Sequence, residues 1–142
     1  ATVEVGPDAR PGVGYLRDGD FAWCGAFVAH CWLALRTAIR RHNLASCYRL
    51  DRWARGTDRI VPAEDARDGD IVVLGDGSPK HGTHMEVATG PPVAGANPTI
   101  GGNAKGRGPD GAIYEGVVRQ LRPLAGDYRV LYVVRPLAGD IA

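Results

Sequence analysis

Helical periodicity and strand patterning sit at opposite ends of this chain, and that segregation constrains its fold more than any other feature. Between Cys24 and His42, the residues Phe27, Val28, Cys31, Leu35 and Ile39 recur at helical spacing, with Trp32 alongside. Asn43 is placed to cap the end of that helix. A second, shorter helix is expected around Tyr48 to Ala54. Residues 1–22 read as an approach segment with turns at Gly6-Pro7, Pro11-Gly12 and Asp18-Gly19. From residue 66 onward the pattern becomes short apolar or alternating runs bounded by turn residues. Ile71-Val72-Val73-Leu74 reads as a buried strand, entered through Asp68-Gly69-Asp70 and left through Gly75-Asp76-Gly77. His84 to Ala88, Thr99 to Asn103, Ala112 to Arg122 and Val130 to Arg135 read as further strands, and residues 104–112 as a Gly-rich loop. Helices first and strands later predict an α+β domain rather than alternating βαβ units. The 142 residues suit one domain over 1–142, enough for one hydrophobic core.

Bulk properties remove several function classes. The formal net charge is +1, with arginines scattered among acids, so no nucleic-acid partner is expected. The local exception, Arg36, Arg40, Arg41 and His42, falls at the end of the expected helix, where cations suit the negative end of its dipole. No apolar run reaches the roughly 18 residues that cross a bilayer. No signal-peptide pattern is visible, and since the sequence opens on Ala rather than Met this says little about export. The three cysteines, Cys24, Cys31 and Cys47, are spaced by seven and sixteen. An odd count opposes a full disulfide framework, and without a C-x-x-C pair no structural zinc site is expected; no cofactor is expected either.

The residues that can carry chemistry centre on Trp23-Cys24-Gly25-Ala26-Phe27, where a Gly- and Asp-rich loop turns into the first turn of the helix. Unpaired N–H groups at a helix start carry partial positive charge and stabilise a thiolate, the reactive form of cysteine. Gly25 and Ala26 leave room for a substrate. The alternative is a small packed cysteine, and the local sequence weighs the two alike. Cys31 lies on the apolar stripe and is expected in the core. Cys47 sits in a polar connection.

A nucleophilic cysteine needs a base held by a third group. Of the four histidines, His30 and His42 lie within and at the end of the helix, away from its start. His84 opens a strand, which would fix it, whereas His81 lies in the preceding loop. Either could equally be a surface histidine. Asn103, after Ile100-Gly101-Gly102, could hold the imidazole tautomer, or could be a turn residue. Glu86 shares a strand face with His84. From that position it looks badly angled to orient the ring, and better suited to shaping a substrate site. Asp70 reads as a turn acid.

The order of these motifs resembles a known group. Trp23-Cys24-x-Ala26-Phe27-Val28, Asp68-Gly69-Asp70-Ile71-Val72-Val73-Leu74, His84 opening a strand and Gly101-Gly102-Asn103 are similar to the cell-wall amidases and peptidases of the CHAP and NlpC type, in a compact, phage-lysin-like branch. The likeness runs over about residues 4 to 135, carried by those four short motifs. It implies a papain-like α+β fold with N-terminal helices packed on a small antiparallel sheet. It also implies cleavage of a peptidoglycan amide, either muramoyl-alanine or within the stem peptide, without a metal. By that resemblance Cys24 is the nucleophile, His84 the base and Asn103 the orienting residue. Thr83-His84-Met85-Glu86 departs from it by placing a charge where the group has a small residue, which keeps His81 open as the base or implies a distinct specificity.

The resulting expectation is a cysteine amidase or peptidase acting in the periplasm or at the cell wall, exported or phage-delivered, with Tyr15, Trp23 and Glu86 at the substrate. The backbone N–H of Cys24 would donate to the oxyanion. Tyr15 is a second donor candidate or a packed aromatic. Two rival expectations are an antibacterial amidase effector with an immunity or delivery protein as partner, and an inactive wall-binding or phage structural module.

Overall fold

The computed structural model describes residues 2–3, 27–28, 31, 44, 46–107, 113–137 and 140, with backbone alone for 2–3, 103–107 and 113–115. Among these residues one antiparallel sheet dominates. Its strands are β1 (Thr2–Val3), β2 (Ile60–Val61), β3 (Ile71–Gly75), β4 (His84–Ala88), β5 (Ala96–Arg107), β6 (Ile113–Pro123) and β7 (Arg129–Val134). They form a seven-stranded sheet in the order β1-β6-β5-β4-β3-β7-β2. One complete α-helix, α1 (Cys47–Gly56), stands among the described residues, with a short 3-10 turn at Ala63–Asp65.

This corrects the expected papain-like α+β fold of N-terminal helices on a small sheet. Phe27, Val28 and Cys31 are helical, but the sheet rather than a helical layer organises the described core. The reason lies in the central strands β3 and β4, which are buried on both faces. Ile71 to Gly75 and His84 to Ala88 are buried at every position, so no face is left to water. On one face Ile71, Val73, Met85, Val87, Tyr132 and Val134 pack with Val28, Leu44, Leu50 and Ala54. On the other, Val72, Leu74, Ala88, Val130 and Val133 pack with Ala63, Ala66 and the partly buried Val61 and Leu124. Connecting segments close this second face. The Gly-rich stretch expected as a loop also stays in strand β5 as far as Arg107.

Local chemistry sets the elements. Ser46 caps α1 by accepting the Arg49 N–H at 3.4 Å, and Leu50 and Ala54, one turn apart, face the sheet. Asp51 on α1 accepts the Tyr132 hydroxyl at 2.7 Å, tying the helix to β7. Asp70, expected as a turn acid, is buried; it accepts the Arg67 N–H at 2.9 Å and a bidentate pair from Arg135 at 2.7 and 3.0 Å. Residues 124–128 link β6 to β7, although β5, β4 and β3 lie between those strands in the sheet. An extended link of that length spans only about 20 Å, close to four flat strand spacings. The link is bent, so the sheet must curl, and β6 and β7 approach each other.

Cys31, expected in the core, is exposed, whereas Phe27 and Val28 are buried. Leu50 is 1% exposed. Leu50→Ala is expected to lower the unfolding free energy by about 2–5 kcal/mol in urea denaturation. The Val93→Ala control, at a side chain 67% exposed, should change it by less than about 0.5 kcal/mol. Equal effects would mean that α1 does not seat the core as described.

Candidate active site

His84 is the first residue of β4, and its placement begins in the preceding turn. Gly82 takes φ +73°, where a side chain is strained, and a Cβ there would meet the Leu74 carbonyl oxygen at 2.6 Å. The Thr83 N–H donates to that same oxygen at 2.9 Å, closing the β3–β4 hairpin. Leu74 pairs with His84 and Val72 with Glu86. Alternation then puts His84 and Glu86 together on the face opposite α1.

Glu86 is fully buried, yet every acceptor direction of its carboxylate is used. Oε1 accepts from Thr99 Oγ1 at 2.6 Å and from Arg122 Nε at 2.9 Å. Oε2 accepts from Arg122 Nη2 at 2.6 Å and faces His84 Nε2 at 2.8 Å. Since the carboxylate can only accept, His84 donates through Nε2–H, and in the neutral ring Nδ1 carries the lone pair. Burial alone would push the Glu86 carboxyl up. Hydrogen bonds from Arg122 and His84, and their charges, outweigh burial and hold it at about 2, against an ordinary 4.5. The same pairing holds Arg122 protonated against the burial that opposes its charge.

Gly101 explains how the carboxylate fits. A Cβ at Gly101 would lie 2.6 Å from Glu86 Oε2 and 2.7 Å from its Cδ. The side chain of Glu86 therefore lies across a bare backbone. The β5–β6 register shifts between Gly101 and Ala104, next to this crossing.

The expectation that Glu86 is badly angled for the imidazole is overturned: its carboxylate is in contact with the ring. With its oxygens filled, Glu86 has no acceptor left for a substrate. Asn103 lies on β5. The β4–β5 register seen at Val87–Ile100 and Ala88–Thr99, if continued, brings it level with His84, but its side chain is outside the described ones. Cys24, Trp23 and Tyr15 lie outside the described residues. Val28, four positions after Cys24, packs on the α1 face, whereas His84 lies on the other. His81 sits on the α1 side: its ring meets Tyr48 edge-on with centroids 5.4 Å apart, and its Nδ1 donates to the Gly82 carbonyl at 2.9 Å.

Thr99 and Arg122 were not among the expected site residues. A carboxylate at the centre of an apolar strand was the signal, since a buried charge demands a cation. Among the described residues no group of three or more His, Cys, Asp or Glu could hold a metal ion. No helix among them is long and apolar enough to cross a membrane. Comparison with known protein families, with curated proteins and with solved structures finds no match.

Because its carboxyl is held at about 2 in the fold against 4.5 ordinarily, Glu86 stabilises the fold fully above about pH 4.5 and progressively less as pH falls toward about 2. The contribution is roughly 3 kcal/mol by that linkage. Chemical denaturation between pH 6 and 2.5 should show this decline, and Glu86→Gln should flatten it. A parallel decline in both proteins would place the acid sensitivity elsewhere.

Proposed function

We propose that the chain is a cysteine-dependent amide hydrolase acting on peptidoglycan, with Cys24 as nucleophile and His84, oriented by Glu86, as base. The observation that carries this reading is the 2.8 Å contact between His84 Nε2 and the buried Glu86 carboxylate. It supplies a base held in one tautomer by an ionised group, the requirement that the Trp23-Cys24-Gly25-Ala26-Phe27 motif leaves open. The motif resemblance to CHAP and NlpC-type enzymes supplies the substrate class.

In this mechanism His84 Nδ1 takes the Cys24 thiol proton, and the thiolate adds to the amide carbonyl carbon. The Cys24 backbone N–H donates to the resulting oxyanion. Glu86 stabilises the imidazolium while it carries the proton. The C–N bond breaks as His84 returns that proton to the amine, leaving a thioester. Water, deprotonated by His84, attacks the thioester; the carboxylic acid departs and the thiol is restored. Glu86 takes the orienting role first expected of Asn103.

A second reading, with His81 as the base, is favoured by one observation: His81 lies on the α1 side of the sheet, where Val28 packs.

Digestion of purified peptidoglycan, read by mass analysis of the released muropeptides, tests both. Cys24→Ala and His84→Ala should each lower the rate by roughly a thousandfold or more, since nucleophile and base act as a unit. Glu86→Gln should cost at least about tenfold, more than Asn103→Ala. An inactive His81→Ala beside an active His84→Ala would move the base to His81. No amide cleavage by the parent protein would reject the hydrolase.

A further inference from the structure

Arg49 and Arg52 differ from the other arginines around them. Arg55 pairs with Asp51 at 2.8 Å and Arg59 with Asp140 at 2.6 Å. Arg122 and Arg135 pair with Glu86 and Asp70. Arg49 and Arg52 make no ion pair with a described carboxylate, and both are exposed. Neither charge helps the helix that carries it. Arg49 lies in the first turn of α1, at the positive end of the helix dipole, and no acid occupies that turn. Arg52 lies three residues on, so the two guanidinium groups neighbour each other on one helix face and repel. An anion between them would relieve both costs.

The surroundings give that anion a shape. Tyr48, Arg49, Arg52 and Trp53 line a cleft of about 430 Å³, within the range of small-ligand sites. Arg52 Nη1 donates to the Tyr48 hydroxyl at 3.3 Å, which holds this guanidinium beside the ring. Trp53 is backed by the Arg59 guanidinium, 4.5 Å from its ring centroid. Tyr48, half exposed, meets His81 edge-on, so the cleft abuts the loop that leads into His84.

We propose that this cleft binds a muramyl peptide, with Arg49 and Arg52 on a stem-peptide carboxylate and Tyr48 and Trp53 against the sugar and peptide. The identity of the ligand rests on the peptidoglycan reading; the need for an anion rests on the helix and its charges. Two cations beside two aromatic walls suit a ligand that joins carboxylates to a saccharide ring.

Calorimetric titration of Cys24→Ala full-length protein with muramyl dipeptide tests the site without turnover. Saturable binding is expected, weakened at least about tenfold by Arg49→Gln/Arg52→Gln and by amidating the ligand's carboxyl group. The double variant should keep or raise the melting temperature, because the repulsion it removes offsets loss of the exposed 3.3 Å contact between Arg52 and the Tyr48 hydroxyl. Unchanged affinity in the double variant, or a fall in its melting temperature that accounts for the loss, would overturn the proposal. Inorganic phosphate binding as tightly as muramyl dipeptide would overturn the ligand assignment in favour of a general anion site. Wall hydrolysis is measured in parallel with the Cys24 parent. Carboxylate-dependent binding without hydrolysis would reject the hydrolase and keep the cleft. Hydrolysis whose KM is unmoved by the double variant would reject the cleft and keep the hydrolase.

Discussion

The Glu86 carboxylate is the constraint on which the described site depends. An ionised group buried in a sheet survives only when its lone pairs are met. Thr99, Arg122 and His84 meet them from β5, β6 and β4. Each partner is thereby fixed by a charge whose exposure or loss would cost several kcal/mol, by the usual penalty for breaking a buried pair of about 3–5 kcal/mol. Gly101 is part of the same solution, because a β-carbon on β5 would occupy the volume the carboxylate needs. One side chain thus sets the glycine on one neighbouring strand, the arginine two strands away and the orientation of the imidazole beside it.

Much of the sheet was legible from the sequence. Asp68-Gly69-Asp70 and Gly75-Asp76-Gly77 bracket an apolar run, and β3 occupies it from Ile71 to Gly75. The strand expected from His84 to Ala88 is β4. The helix expected around Tyr48 to Ala54 is contained in α1, where Ser46 supplies the cap. The architecture was not legible, because a single helical stripe beside several strands reads as two layers. Only the packing shows both sheet faces buried, one by α1 and one by connecting segments. β5 outran its expected end because Gly-rich sequence reads as loop. At Gly101 the glycine is instead a strand position that a crossing side chain requires.

The site was half legible for a related reason. His84 could be picked out because it opens a strand, and Glu86 because a charge interrupts an apolar run. Their contact could not be foreseen from two same-strand positions, since residues i and i+2 point the same way and touch only when a third group turns the carboxylate along the strand. Arg122, 36 residues on, is that group. Its pairing with Glu86 depends on the β4–β5–β6 order, which local sequence does not encode. The same charge logic marks Arg49 and Arg52: where Glu86 is a buried anion with every donor it needs, they are exposed cations that pair with no described acid.

We propose Cys24 as a thiolate nucleophile activated by His84. Site-resolved alkylation tests this most directly, because the chain carries its own comparison thiols: Cys31 is exposed and Cys47 half-buried, and neither is in a disulfide. An ordinary thiol, with a pKa of about 8.5, is almost wholly protonated and slow near pH 6, whereas an activated one is not. Limiting iodoacetamide at about that pH, followed by peptide mapping, should label Cys24 ahead of Cys47 and of Cys31, whose thiol burial pushes up, with labelling that tracks loss of hydrolysis. In His84→Ala, Cys24 should label more slowly while Cys31 is unchanged. Labelling led by Cys31, and a Cys24 rate that ignores the loss of His84, would contradict the account and leave Cys24 an ordinary thiol.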